Sequence, residues 1–235
     1  MATKKNKTDD QFAQIEETLS RTEQYIENNQ KNLIKIVAVI VAVIALFAGY
    51  WSYYLPSKEK DTQVDMYMAE INFQKDSLNL ALNGDGQDIG FEDIADEYGG
   101  ISWLFDLGAT KLGGLANLYA GLSHLNFGDF ESAIKYFNDF SSDDIILSSL
   151  ALGCTGDAYM DLGDTKEALS YYKDAASNSK NEFTTPRFMM KQAMIHEMNG
   201  NYANALALYK EIEADYKTSF EGNGIEKYIA RAENR

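Results

Sequence analysis

Read as apolar and polar letters, the chain changes its period several times. Near the start, Phe12, Ile15, Leu19 and Ile26 stand close to heptad spacing and predict a short amphipathic helix over the N-terminal segment, residues 1–32. From Ile36 to Trp51 the alternation stops: sixteen residues pass without a charge. Extended to residues 33–55 the run has 23 residues with Lys35 alone charged, and at about 1.5 Å per residue it covers a hydrocarbon core of roughly 30 Å. Beyond it, Val64, Tyr67, Met68, Ile71, Leu78 and Leu82 recur at helical spacing and predict a helical stripe. FEDIADEY, 91–98, follows a turn and is expected to be its partner helix, making residues 57–100 a degenerate helix pair. ISWLFDLG, 101–108, is an apolar insertion with no assigned place.

Downstream, one pattern is written three times. GDFESAIKYF begins at Gly128, GDTKEALSYY at Gly163 and GNYANALALY at Gly200. Each has Ala at the sixth place (Ala133, Ala168, Ala205) and an aromatic at the tenth (Phe137, Tyr172, Tyr209). Seven residues before each glycine stands Gly121, Gly156 or Ala193, and four before it His124, Tyr159 or His196. The copies lie 35 and 37 positions apart, a period that predicts stacked helix–turn–helix units at 114–148, 149–185 and 186–219. Within each unit a left-handed glycine is expected to end the first helix, and Asp129 or Asp164 to cap the second. Asp164 with Glu167 fits a capping box. Thr185 and Pro186 are expected as N-cap and first helical residue of a later helix. IEKYIARAE, within 220–235, predicts a helix closing the last open face.

The spacing G-x2-Y, then G, then A-x3-Y resembles the tetratricopeptide repeat, with Asn117, Leu152 and Met189 at the usual tryptophan place and no closing proline. The fold class expected is therefore all-α: a single transmembrane helix at 33–55 followed by a tetratricopeptide-repeat α-solenoid at 57–235. The order of parts also resembles the YfgM-type ancillary subunits of the SecYEG translocon, in a form associated with Bacteroidetes. That resemblance rests on NLYAGLSHLNFGDFESAIKYFNDFSSDD, GDAYMDLGD, the final IEKYIARAE and SLNLALNGDGQDIGFEDIADEYG. It implies a partner-binding periplasmic domain near the translocon or its chaperones.

Charge sharpens the picture. Residues 1–35 hold six Lys/Arg and six Asp/Glu, so the whole excess of −15 lies in the remaining chain, which is expected to be repelled by nucleic acid and by anionic lipid headgroups. Lys4, Lys5, Lys7, Arg21, Lys31 and Lys35 precede the apolar run, whereas Lys58 and Lys60 alone follow it closely. The positive-inside rule then places the N-terminus in the cytoplasm and the repeats in the periplasm, with the run in the inner membrane. Tyr50, Trp51, Tyr53 and Tyr54 look like an interfacial aromatic belt, and Pro56 is expected to close the segment. A cleaved signal peptide fits poorly, since about 35 residues precede the run and no small-residue cleavage site follows it.

Candidate chemistry is sparse. His124 and His196 share one repeat position and are expected to pack between helices; no spacing supports zinc. NGDGQDIGFEDIADE fails the calcium-loop register and is expected to be a glycine-rich turn. Cys154 is expected to be a small apolar residue inside a helix. No catalytic or cofactor site, no small-molecule substrate and no metal are assigned, and the protein is expected not to be an enzyme. Partner binding is assigned to the first helices of the units, which line the concave surface in this kind of repeat. The residues at places five, nine, twelve and thirteen are Leu118, Leu122, Leu125 and Asn126; then Gly153, Asp157, Met160 and Asp161; then Met190, Met194, Glu197 and Met198. A lysine/asparagine carboxylate clamp is missing from this set, so leucine and methionine rimmed by acid suit an apolar or basic segment. Packing beneath a neighbouring helix or the C-terminal cap is the plain alternative. The expected function is a membrane-anchored interaction adaptor for translocon subunits, periplasmic chaperones or unfolded clients, with a structural scaffold in envelope assembly or cell division as the second reading.

Overall fold

The computed structural model describes residues 7–99 and 110–235, with side chains from Tyr25 onward; the insertion 101–108 lies outside them. Among the described residues every regular element is helical. The chain divides into two compact units, Met1–Pro56 and Ser57–Arg235.

The first unit is α1 (Lys7–Gly49) followed by a π-helical turn, Tyr50–Tyr54. The most apolar 18-residue window of this region has mean hydropathy 2.6 and none of it is buried, so the helix is long and apolar enough to cross a membrane. Helix runs through the N-terminal segment from Lys7, with Ile26 exposed; the side chains of Phe12, Ile15 and Leu19 lie outside the described residues. Pro56 does not close the helical stretch. It is the second residue of α2 (Leu55–Gln74), and the widened π-helical turn comes directly before α2.

The second unit continues with α3 (Leu78–Asn83), α4 (Phe91–Tyr98), α5 (Lys111–Phe127), α6 (Phe130–Asp139), α7 (Ile145–Asp161), α8 (Thr165–Asn178), α9 (Thr185–Met198), α10 (Tyr202–Asp215) and α11 (Glu226–Glu233). From α4 to α11 each helix packs on the next, and α5 also touches α7, the pattern of a stacked solenoid.

The α2 stripe differs from expectation. Val64 is 73% exposed, Tyr67 is exposed too, and the buried face is Thr62, Met66 and Ala69 with Phe73 beside it. Polar anchors select that face: Thr62 Oγ1 meets Thr110 Oγ1 at 3.1 Å, and the Tyr98 hydroxyl donates to Asp65 at 2.8 Å. Met66 and Ala69 share one core cluster with Phe91, Ile94 and Ala116. The stripe is also broken, because Asp76 takes a left-handed φ of 59° between α2 and α3. The NGDGQDIG stretch is a self-closed turn, in which Asp85 Oδ1 accepts from the N–H groups of Gln87 and Asp88, both at 2.9 Å.

The repeated Gly-Asp/Asn pair now has a cause. Gly128, Gly163 and Gly200 all have left-handed φ, 78°, 82° and 74°. In each copy the glycine N–H and the next N–H fold back onto the preceding helix: Gly163 to Met160 O (3.0 Å) and Asp164 to Tyr159 O (2.9 Å), with the same pairs at Gly128–Asp129 and Gly200–Asn201. This is a Schellman closure. Asp129 and Asp164 then cap the second helix, accepting from Ser132 N–H (3.3 Å) and Glu167 N–H (3.1 Å). The capping box at Asp164 is half made, because its own N–H is taken by Tyr159. At α9 the N-cap is Thr184, one residue before the expected Thr185, whose hydroxyl instead donates to Ser179 O at 2.8 Å.

Ala133, Ala168 and Ala205 are fully buried, as are Phe137, Tyr172 and Tyr209 to within a few per cent. A Cβ on Gly121 would stand 2.6 Å from the Phe137 ring, and one on Gly156 2.6 Å from Tyr172. Glycine is required there because the aromatic of the second helix occupies the space a Cβ on the first would need.

Candidate partner-binding surface

The first helices α5, α7 and α9 place the repeat positions in a graded order. At place five, Leu118, Gly153 and Met190 are all buried. Leu118 belongs to the core shared by α5, α6 and α7, with Ala133, Phe137, Ala151 and Cys154. A Cβ on Gly153 would lie 1.9 Å from the Phe188 ring, so that glycine admits the aromatic of the following unit. Leu122 and Leu125 are half-buried against the Leu118 cluster, and Met160 is half-buried against the cluster of α8–α11. At place thirteen, Asn126, Asp161 and Met198 are all exposed. The methionine stripe follows this gradient on one helix face: Met190 is 8% exposed, Met194 41% and Met198 67%.

The acidic positions are not a free rim. Asp157 is held by two partners: the Tyr172 hydroxyl donates to Oδ1 at 2.5 Å, and Lys191 Nζ makes an ion pair with the same oxygen. Lys191 also lies over the Tyr172 ring, 5.3 Å from its centroid. Burial first, then the Asp157 acceptor, keeps the Tyr172 hydroxyl well above the ordinary phenol range. Glu197 pairs in the same way with Arg231 of α11, whose Nε donates at 3.1 Å, and Arg231 lies over Tyr228 at 5.0 Å. Both ion pairs join residues 34 positions apart. Lys191 and Arg231 thus do the same work one unit on, and α11 behaves as the first helix of a further unit. Sequence reasoning overlooked both cations; the signal was the near-repeat offset between each and its carboxylate.

The histidines divide. His124 is buried and stacked on Tyr136, centroids 5.3 Å apart, while Nε2 faces Glu92 Oε1 at 2.9 Å and Nδ1 faces Asp129 Oδ2 at 3.1 Å. It packs as expected and also ties α4 to the α5–α6 turn. Hydrogen bonding from Ser132, with His124 adding to it, lowers the Asp129 carboxyl below its usual range. His196 is half-buried with Nδ1 unpartnered. Among the described residues no group of three His, Cys, Asp or Glu is arranged to hold a metal. Cys154 is buried, and burial pushes its thiol up to about 11.

A family model of the tetratricopeptide repeat matches residues 155–219, from within α7 to just past α10. No curated protein matches the chain. The chain therefore contains tetratricopeptide repeats, and these are protein–protein interaction modules that are generally not enzymes.

Proposed function

We propose that the protein is a single-pass adaptor of the inner membrane that holds protein partners in its repeat domain. Residues 1–32 lie in the cytoplasm, 33–55 span, and 57–235 face the periplasm, where they assist translocation or chaperoning of secreted proteins beside the Sec translocon. The observation that carries the binding role is the exposed end of the methionine stripe, Met194 and Met198, with Asp161 and Asn126 exposed at the matching repeat place. Flexible thioethers on a firm floor adapt to varied apolar side chains. Leu122, Leu125 and Met160 underlie the surface, Leu118 and Met190 fix its floor, and the pairs Asp157–Lys191 and Glu197–Arg231 neutralise its edges. An apolar client segment is favoured over a basic one, because two of the three acids are already paired. The order of parts and the basic bias before the span support the translocon and periplasmic assignments.

A photo-crosslinker at Met198 in intact membranes tests this. Translocon or chaperone subunits are the expected products; division or wall-synthesis proteins would replace the finer reading. Met194→Asp with Met198→Asp should abolish the products with helicity unchanged, and undiminished crosslinking would remove this surface. Protease added to spheroplasts should digest the repeats and spare the N-terminus; protected repeats would reverse the orientation.

A further inference from the structure

A strict seven-residue spacing runs along α1. Phe12, Leu19, Ile26 and Leu33 follow one another at intervals of seven, and Ile15, Thr22, Asn29 and Ile36 stand three residues after each. Written as heptads, the first set takes the a places and the second the d places. Between Lys7 and Asn32 every Ile, Leu and Phe falls on one set or the other, and Tyr25, at a g place, is the one large apolar residue outside them. On a straight helix such a row drifts by about 20° per heptad, so an exact period of seven marks helices that wind round one another. The helix that carries the row is unbroken from Lys7 to Gly49. Where its side chains are described, Ile26 is 49% exposed, and the Asn29 amide donates to its own helix, at Tyr25 O (3.0 Å).

The continuity of α1 decides what can cover this seam. A helix that enters the bilayer near Leu33 carries residues 12–32 away from it, over about 30 Å at 1.5 Å per residue. The same helix cannot also lie flat among the headgroups. Its polar faces are also wrong for that, with Glu16, Glu17, Glu23 and Glu27 against Arg21 and Lys31. With a single span, the repeats stand on the other side of the membrane and cannot reach the seam. What remains is another helix that leaves the membrane at the same level and in the same direction. A second copy of this chain meets both conditions, because copies inserted with one topology are parallel.

We infer that residues 12–32 pair with the same segment of a second copy, as a parallel, in-register, left-handed coiled coil that runs on into the span. The flanking charges agree. The e places hold Glu16, Glu23 and Gln30, and the g places before them Gln11, Thr18 and Tyr25. A parallel pair sets each e residue beside the preceding g residue of the other copy, so no like charges meet. An antiparallel pair would set e against e and bring the glutamates together. The polar d places fix the register. Asn29 is satisfied by an amide at its own level, which the in-register copy supplies, whereas a slip of one heptad would set one Asn29 against Ile36. Within the span, lipid covers every face, so Ile36, Ile40, Val43 and Phe47, all exposed on the single helix, allow the seam to continue without selecting it. The inference rests on the membrane-anchored part of the proposed function and is independent of the partner surface on the repeats.

The test uses the full chain in isolated membranes, with Cys154→Ala and one new cysteine at a time. Leu19→Cys, Thr22→Cys, Ile26→Cys and Asn29→Cys sample the seam, and Ser20→Cys, Gln24→Cys, Glu27→Cys and Lys31→Cys the far side of the helix. Each is oxidised with copper phenanthroline and run on a denaturing gel without reductant. The expected result is a disulfide-linked dimer of the chain at the four seam positions, about fivefold more abundant than at the other four. Equal yields at all eight positions, or no dimer at any, overturn the inference if the protein stays with the membrane in alkali, since the anchor then holds. Release by alkali removes the anchor and with it the parallel order, and overturns both. Seam products that join the chain to a different protein give the seam to a foreign helix and also overturn the inference.

Discussion

Cys154 shows how much one residue's surroundings decide. It lies in α7 against Leu118, Phe137 and Ala151, and desolvation of its thiolate is the main reason its thiol is pushed up to about 11. A folded-state value above the unfolded one means that this group's stabilisation is complete below the unfolded value and is lost as pH rises through the folded one. The protein is therefore expected to keep its cysteine unreactive toward iodoacetamide at pH 8 and to lose stability between about pH 9 and 11. Tyr98, Tyr136 and Tyr172, all shifted upward by burial first, act with the same sign. Rapid alkylation at pH 8 with helicity intact would contradict this placement. Sequence alone marked Cys154 as a small apolar residue inside a helix, with Asp157 three residues on in the same helix, but the easing by Lys191 needed the next unit in place.

At the scale of the element, the three glycine turns follow from local chemistry. One residue after each glycine closes the preceding helix with its N–H, and at Asp129 and Asp164 the same residue caps the following helix with its carboxylate. Asp164→Ala should therefore cost about 1 kcal/mol, while Glu167→Ala should cost far less, because the reciprocal half of the capping box is missing. Thermal unfolding of the two variants in detergent, followed by far-ultraviolet circular dichroism, separates them; equal losses would restore the full box. These turns were legible in the sequence because Gly and Asp carry their conformational preferences wherever they stand. The register of α2 was not. Two helical faces compete there, and the choice fell to the one whose Thr62 and Asp65 find Thr110 and Tyr98, residues supplied by other elements.

For the molecule as a whole, stability is expected to pass from unit to unit. α11 covers Tyr209 with Tyr228 (ring centroids 5.5 Å apart), meets Glu197 through Arg231 and Lys210 through Glu233, and buries Ala232. Deleting 226–235 should leave α9 and α10 with fast amide exchange and α5 and α6 still protected, since each repeat depends on its neighbours. Uniform loss across the domain would show one cooperative block instead. The apolar run, the helical class, the repeat period and the turn chemistry were fixed by the sequence itself, because each is a pattern within a few turns of chain. The surface was decided by tertiary structure. Leu118 and Met190 sink into cores, Met194 and Met198 emerge, and Asp157 and Glu197 lose their free charge to Lys191 and Arg231. Periodicity assigns a residue to a helix face, but whether that face meets solvent, an aromatic ring or a cation depends on the helix packed against it, and that helix is supplied by another part of the chain.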